Sequence, residues 1–178
     1  IISQHGEIIY EGYFRGTGAN DLHQVQSVTK SVGSALIGIA HRQGKIHLDQ
    51  NLGHFFSGLY DMSQAGMQNK TGITVEQILQ QRHGIEWDEE SFDYRHPMNP
   101  VGPMINSNDW YQYVLTRPLD AAPGEKFRYS SGASILMSRM IRIASGQSPE
   151  DFAMQELFGP LGISNVHWEV YSENGMGT

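Results

Sequence analysis

The sequence predicts an α+β domain in which an antiparallel sheet is flanked by helices and joined to a helical subdomain. Two β-rich runs open the chain, at residues 1–4 and 7–14, and several helical patterns follow them. Strands grouped before helices indicate this class rather than alternating βαβ units. A length of 178 residues is enough for one compact domain, and we interpret the chain as a single but incomplete one.

Composition excludes several classes of protein. Hydrophobic residues make up 39% of the chain and charged residues 17%, which is typical of a globular protein. The net charge is −7 and the twelve Lys and Arg are scattered, so neither nucleic-acid binding nor electrostatic membrane binding is expected. Cys is absent, which excludes disulfides and a thiol nucleophile. The eight His show no metal-binding spacing, so no metal or other cofactor is expected.

The first residues, "IISQHGEIIYEGYF", predict a β-hairpin. His5 and Gly6 separate the two β-rich runs, and a two-residue turn with Gly second is a hairpin signal. The segment lacks the basic start and the small-residue cleavage site of a signal peptide. It therefore leaves the cellular compartment, cytoplasm or periplasm, undetermined.

Helices are predicted by apolar residues at three- and four-residue spacing. The first covers residues 26–43 and is stopped by Gly44. Thr74 begins another helix, Gln77 completes its capping box, and the helix ends before Gly84.

The second half of the chain predicts three more helices. Ser107 is expected to cap a short helix that runs through Leu115. Residues 132–145 form the next helix, stopped by Gly146, and Ser148 caps the last one.

The segments between these helices are predicted to be irregular. Residues 49–72 are mostly loop, and residues 84–106 form a long stretch with three Pro. A loop of that length in a compact domain is usually functional or packed over a site. Residues 166–171 are predicted to form a short strand. The expected parts are a hairpin at 1–14, a first helix at 26–43, a mainly helical subdomain at 49–130, and helices with a short strand at 131–178.

The start of the first helix, "QSVTKSVGSALIGIA", contains the chain's only Ser-x-x-Lys sequence, at Ser27 and Lys30. A serine hydroxyl is a weak nucleophile and needs a neighbouring base. Positions i and i+3 of a helix are neighbours, so the lysine amine can reach the hydroxyl. The pair is therefore a candidate nucleophile and base. The alternative is that Ser27 only caps the helix and Lys30 is solvated.

A second candidate group lies in "PGEKFRYSSGASILMSRMI", where Tyr129, Ser130 and Ser131 precede a helix. A phenol at this position can join a hydrogen-bond network with a serine and a lysine, and it can act as a base in its phenolate form. The alternative is a tyrosine packed at a helix entrance beside ordinary N-cap serines.

Four stretches of the chain, in this order, form a family pattern: "QSVTKSVGSALIGIAHRQGKIHLDQ", "ITVEQILQQRHGIEWDE", "PGEKFRYSSGASILMSRMIRIASGQSPEDF" and "LFGPLGISNVHW". Together they resemble the serine β-lactamase-like and penicillin-binding-protein-like hydrolases. The branch that they most resemble contains class C β-lactamases, family VIII esterases and 6-aminohexanoate-dimer hydrolases. The resemblance implies a β-lactamase/transpeptidase-like fold and a serine hydrolase that acts through an acyl-enzyme on a small-molecule ester or amide, with β-lactams among the candidates.

The resemblance also implies roles for individual residues. Ser27 matches the acylated nucleophile, Lys30 its proton-handling partner, and Tyr129 the base in acylation and deacylation. Ser131 falls where class C β-lactamases have Asn, at a substrate-binding position. Because serine is shorter and has no amide, an esterase or amidase is favoured over an efficient β-lactamase.

Two further interpretations come from the family pattern. In the family fold, the irregular region at 84–106 lies near the substrate cleft, which makes Tyr94 and Trp110 candidates for substrate contact. His83 and Gly84 are interpreted as structural.

One family motif is missing. Relatives carry Lys-Thr-Gly or His-x-Gly on a C-terminal strand that supplies an oxyanion-hole N–H group, and no such motif follows Tyr129. We therefore expect that C-terminal strands are missing, that this chain alone is inactive or nearly so, and that a complementary C-terminal segment completes the sheet. Two alternatives stay open: a non-catalytic penicillin-binding-type sensor or scaffold, and a D-Ala-D-Ala peptidase.

Overall fold

The computed structural model describes residues 1–169, which form a short antiparallel sheet followed by a body of packed helices, as expected for the predicted α+β class. A 3₁₀ helix covers Gln68–Lys70, and a π-helical turn covers Met154–Phe158. The strands are β1 (Ile2–Gln4) and β2 (Glu7–Tyr10), and the α-helices are α1 (Val28–Arg42), α2 (Leu52–Phe56), α3 (Val75–Leu79), α4 (Val101–Ile105), α5 (Trp110–Thr116), α6 (Ser131–Ser145) and α7 (Pro149–Ala153).

The predicted hairpin is confirmed, although it is shorter than expected. His5 and Gly6 have φ angles of 53° and 84°, the left-handed values that a type I′ turn requires at both central positions. Strand β2 ends at Tyr10 rather than at residue 14, because Tyr10 pairs with Ile2, where β1 begins.

Helix α6 lies at the centre of the helical body and contacts α1, α2, α3, α4, α5 and α7. It begins and ends where the sequence predicts. The Ser130 side chain accepts a hydrogen bond from the Ala133 N–H at its start, and Gly146 adopts a φ of 73° at its end. A close approach requires Gly132 in the first turn, since a Cβ there would lie 2.5 Å from the Trp87 ring.

Helix α1 packs against α6 through its apolar face, on which Leu36, Ile37 and Ala40 are buried. The helix ends as predicted, with Gly44 at a φ of 70°. The capping box predicted for α3 is also present: the Thr74 side chain accepts from the Gln77 N–H, and the Gln77 side chain accepts from the Thr74 N–H.

Two segments predicted as irregular contain helices, which the sequence analysis missed. Helix α2 lies within residues 49–72 and is capped by Asn51, and helix α4 lies within residues 84–106. Each has only five residues, too few to show a helical period. Burial of their apolar side chains against the body stabilises them, because helices this short are unstable alone.

The predicted start of α5 is wrong. Asp109 caps this helix and accepts a hydrogen bond from the Gln112 N–H at 2.9 Å, whereas the Ser107 hydroxyl donates to the Met104 carbonyl at the end of α4. The prediction of a strand at residues 166–171 is wrong for residues 166–169, which are irregular, and its last two residues lie outside the described part.

The predicted N-cap of α7 is confirmed, since Ser148 accepts a hydrogen bond from the Asp151 N–H at 3.0 Å. A search for membrane-crossing helices among the described residues finds none that is long and apolar enough.

Candidate active site

Ser27, Lys30 and Tyr129 meet at the start of α1. The Lys30 Nζ lies 3.0 Å from the Ser27 Oγ, and the Tyr129 hydroxyl lies 2.8 Å from the same oxygen. The Lys30 Nζ also lies over the Tyr129 ring, 4.9 Å from its centroid. One serine hydroxyl is therefore within hydrogen-bond distance of two groups that can take up a proton.

The backbone before α1 presents Ser27 to solvent. Gln26 has a φ of 44°, which turns the chain immediately before the serine. The first helical N–H groups bond to backbone carbonyls, including Thr29 N–H to Gln26 O and Lys30 N–H to Ser27 O. The Ser27 hydroxyl makes no capping hydrogen bond, so it faces Lys30 and Tyr129 instead.

Tyr129 reaches the site from the segment that leads into α6. Its neighbour Ser130 is fully buried and caps α6 through the Ala133 N–H at 2.9 Å. The residue on its other side, Arg128, donates its N–H to the Gln81 carbonyl at 2.7 Å. The phenol is therefore carried by a segment that is fixed on both sides.

Ser131 is held by a buried carboxylate. Its hydroxyl donates to Glu89 Oε1 at 2.8 Å, and its N–H donates to Glu89 Oε2 at 2.9 Å. The Trp87 indole N–H donates to the same carboxylate, which is only 4% exposed. The Ser131 hydroxyl is thus already bound within the protein at the position where the family pattern implies a substrate contact.

The two aromatic candidates occupy different environments. Tyr94 is 56% exposed, and desolvation together with the charges of Glu89 and Tyr129 raises its pKa. Trp110 is only 6% exposed, and its indole N–H donates to the Ile105 carbonyl at 3.3 Å. Trp110 is therefore part of the core, and the substrate contact predicted for it stays a prediction.

A cleft of about 300 Å³ opens beside Lys30 and Tyr129, between α1, α3 and α6. This volume is at the lower end of the range for small-molecule sites. Among residues 1–169, no three His, Asp or Glu side chains are grouped so that they could hold a metal ion. The side chains that line the cleft, besides these two, are Ser31, Ser34, Ile78, Leu79, Gln81, Ser134 and Met137.

Gln81 and Glu89 were not predicted from the sequence as parts of the site. Gln81 contacts the backbone on either side of Tyr129, and Glu89 contacts the Ser131 side chain. Each stands beside a chemically identical residue that is exposed, Gln80 and Glu90. A single sequence contains no signal that distinguishes the inward member of such a pair from the outward one. His83, by contrast, is structural as interpreted: it is fully buried, and its Nδ1 accepts the Ile85 N–H at 3.0 Å.

Comparison with known families gives one extensive match. The Beta-lactamase family model matches residues 1–176. Two curated relatives, assigned as D-alanyl-D-alanine carboxypeptidases in Escherichia coli O157:H7 and Escherichia coli K12, are 23% and 22% identical over 127 residues. The match covers 70% of this chain but 28% of each relative, so the chain spans less than a third of their length.

Several solved structures share the fold. A protein from Bacillus anthracis assigned as a 6-aminohexanoate-dimer hydrolase superimposes with a TM-score of 0.67 at 17% identity, over 86% of this chain and 41% of its own. A protein from Bacteroides dorei assigned as a beta-lactamase gives 0.67 at 18%, over 97% and 50%. A D-stereospecific amidohydrolase from Streptomyces sp. gives 0.61 at 20%, over 82% and 44%. These likenesses confirm the predicted β-lactamase/transpeptidase-like fold.

Proposed function

The chain belongs to the beta-lactamase family, and from this premise we propose that it carries the nucleophile of a serine hydrolase that cleaves a carboxylic ester or amide through an acyl-enzyme. One observation carries the proposal: the Ser27 Oγ lies 3.0 Å from the Lys30 Nζ and 2.8 Å from the Tyr129 hydroxyl. The hydrolase names of the structural neighbours support the broader class.

The proposed reaction has two halves. In the first, the Ser27 Oγ attacks the substrate carbonyl carbon while its proton passes to the neutral Lys30 amine or the Tyr129 phenolate. The bond to the leaving alcohol or amine then breaks, and that group takes up the proton. In the second half, the same base removes a proton from water and the water oxygen attacks the acyl carbon. The bond between that carbon and the Ser27 Oγ then breaks, the carboxylic acid leaves, and the base returns its proton to the Oγ. No cofactor is needed for either half.

The surroundings of the site support a small, largely uncharged substrate. The cleft beside Lys30 and Tyr129 is lined by the apolar Ile78, Leu79 and Met137 together with serine hydroxyls. We propose Tyr94 and Ser131 as further substrate contacts at the site's edge. The Ser131 hydroxyl already donates to Glu89, so it would offer the substrate only an acceptor.

We also propose that further strands complete the hairpin sheet and provide a second oxyanion donor. Both faces of β2 are open to solvent, with Ile8 62% and Ile9 58% exposed, and a two-stranded sheet is marginal alone. Loss of one oxyanion donor lowers kcat by about 100–1,000-fold. Residues 1–178 by themselves would therefore turn over substrate slowly or not at all, while Ser27 can still be acylated.

A second candidate is a D-Ala-D-Ala peptidase, favoured by the assignments of the curated relatives. It would use the same Ser27 chemistry on a peptide. A penicillin-binding sensor would form the acyl-enzyme without releasing it.

The test is covalent labelling of Ser27. A fluorophosphonate probe and a fluorescent penicillin are each incubated with wild type and Ser27→Ala, and the labelled peptide is located by mass spectrometry. The exposed serine that follows α2 provides the control, Ser57→Ala. We expect one label per chain on Ser27, absent from Ser27→Ala and retained in Ser57→Ala.

The outcomes separate the candidates. Absence of any label, or a label that persists in Ser27→Ala, would disprove the serine hydrolase. Labelling with turnover of p-nitrophenyl acetate supports the esterase, and release of D-Ala from a D-Ala-D-Ala peptide supports the peptidase. A stable penicillin adduct with neither turnover supports the sensor when it is measured on a longer form of the protein that carries the proposed further strands, because residues 1–178 of a hydrolase are also expected to give an adduct without turnover.

A further inference from the structure

We infer that Gln81 is a positioning residue for Tyr129: its backbone and side-chain oxygens hold the two N–H groups that flank Tyr129 and so aim the phenol at Ser27. The inference rests on the function proposed above, because it concerns the same hydroxyl.

Gln81 contacts the backbone on both sides of Tyr129. Its carbonyl accepts the Arg128 N–H at 2.7 Å, and its Oε1 accepts the Ser130 N–H at 2.7 Å. A neighbouring β-strand would normally supply two such acceptors from two of its residues. Here a single residue supplies both, and no strand among residues 1–169 pairs with this segment.

The side-chain amide of Gln81 closes a ring of hydrogen bonds. Its Nε2 donates to the Ser134 Oγ at 3.2 Å, and the Ser134 hydroxyl donates to the Ser130 carbonyl at 2.9 Å. Because Ser130 is fully buried, its N–H would have no solvent to replace the Gln81 oxygen. The Gln81 side chain therefore holds the Ser130 N–H directly, and it holds the Ser130 carbonyl through the Ser134 hydroxyl.

Gln81 has a backbone conformation that is usually adopted by glycine. Its φ is 56°, in the left-handed region that residues with a Cβ seldom adopt. Arg82 N–H bonds to Gln77 O, and Gln81 N–H bonds to Ile78 O, which places Gln81 at the position after the α3 C-cap in a Schellman motif. Glycine is the usual residue there. Glycine would remove the backbone strain, but it has no side chain that could reach Ser130. The hydrogen bond from the Ser130 N–H to the Gln81 side chain therefore offsets the strain.

The same side chain borders the cleft that Lys30 and Tyr129 line. Tyr129 in turn reaches across to Ser27, which is 102 residues earlier in the chain. A small shift of the Tyr129 backbone would move the phenol away from the 2.8 Å contact, and misplacement by about 1 Å can lower a rate by about 100-fold.

The experiment measures the rate constant for fluorophosphonate labelling of Ser27. Gln81→Asn keeps the amide and tolerates the left-handed backbone, but its shorter side chain withdraws the oxygen from Ser130. Gln81→Glu keeps both the length and an acceptor oxygen. The adjacent, exposed Gln80 provides the matched control, Gln80→Asn. We expect labelling to slow by about 10–100-fold in Gln81→Asn and to slow less in Gln81→Glu, which keeps the acceptor for the Ser130 N–H but loses the donor to Ser134. Gln80→Asn should stay near the wild-type rate.

A double-mutant cycle separates positioning from general loss of structure. In a Tyr129→Phe background, Gln81→Asn should slow labelling no further, because the phenol that it positions is gone. Should Gln81→Asn fail to fold, Gln81→Met takes its place, since Met has a similar length and no strong acceptor. Equal rates in wild type and Gln81→Asn, or additive losses in the cycle, would overturn the inference. Absence of any Ser27 label in wild type would instead overturn the proposed function.

Discussion

The helical body and the N-terminal segment of this protein place their large apolar side chains in opposite environments. Every buried apolar residue in the described part lies between Leu36 and Ala153, whereas Ile2, Ile8 and Ile9 of the hairpin are all more than half exposed. Helix α6 buries the first group by contacting six other helices. The hairpin is held by its turn and its own pairing, so we expect it to add little to the stability of the body.

The candidate site lies where these two regions meet. Ser27 follows the exposed N-terminal segment, and Tyr129 enters from the buried side next to Ser130. Tyr129, one of the two proposed bases, is therefore on the buried side of the site, and Ser27, the proposed nucleophile, is on the exposed side. This arrangement leaves Ser27 accessible to a substrate.

The largest expected difference between the regions is in the free energy of unfolding lost when an isoleucine of each region is replaced by alanine. Ile37→Ala removes a fully buried side chain of α1 and should lower the free energy of unfolding by about 2–5 kcal/mol. Ile9→Ala removes a hairpin side chain that is 58% exposed, and it should change the free energy of unfolding by less than about 0.5 kcal/mol. Urea denaturation followed by circular dichroism measures both. Similar losses would mean that the hairpin's apolar side chains are covered in solution.

The second prediction is that the stability of the protein depends on pH because of His83, which is buried in the helical body. Burial lowers the pKa of His83 to about 4 from 6.5. Between pH 6.5 and about 4, the unfolded chain binds a proton at His83 that the folded chain does not. The free energy of unfolding therefore falls as the pH drops through this interval, and the loss due to His83 levels off below pH 4. The full effect is about 3 kcal/mol.

Denaturation curves at a series of pH values test this assignment in wild type and His83→Asn. The variant should be less stable at neutral pH, but its stability should depend less on pH over this interval. An unchanged slope in the variant would assign the acid sensitivity to other groups.

The smallest expected difference compares two left-handed glycines. Gly84 has a φ of 74°, and a Cβ there would lie 2.4 Å from the Ala121 carbonyl oxygen, while Gly6 has a φ of 84° and no atom within 4 Å. Gly6→Ala strains only the turn of a hairpin that adds little to the stability of the body, so it should lower the free energy of unfolding by at most about 1–2 kcal/mol. Gly84→Ala adds the steric collision, a further cost of about 1–3 kcal/mol. Thermal unfolding measures the difference, and equal shifts would contradict the tight approach at Gly84.

The features that the sequence predicts well are those set by neighbouring residues. The His5-Gly6 turn, the ends of α1 at Gly44 and of α6 at Gly146, and the Thr74 capping box each depend on contacts within a few positions. The features that it misses depend on the surrounding body. Helices α2 and α4 have five residues each, show no detectable period, and require a core to pack on. Helices α3 and α7 are equally short, but the capping box at Thr74 and the Ser148-Pro149 start predict them.

The site divides in the same way. The Ser-x-x-Lys spacing alone predicts that Ser27 and Lys30 share one face of a helix, because i and i+3 positions are adjacent in any α-helix. The fold was needed to show that Tyr129 reaches the same hydroxyl, that Gln81 and Glu89 face inward while Gln80 and Glu90 face solvent, and that Trp110 is part of the core. These features depend on contacts across tens of residues, which arise from the packing of whole helices, and no local sequence pattern encodes that packing.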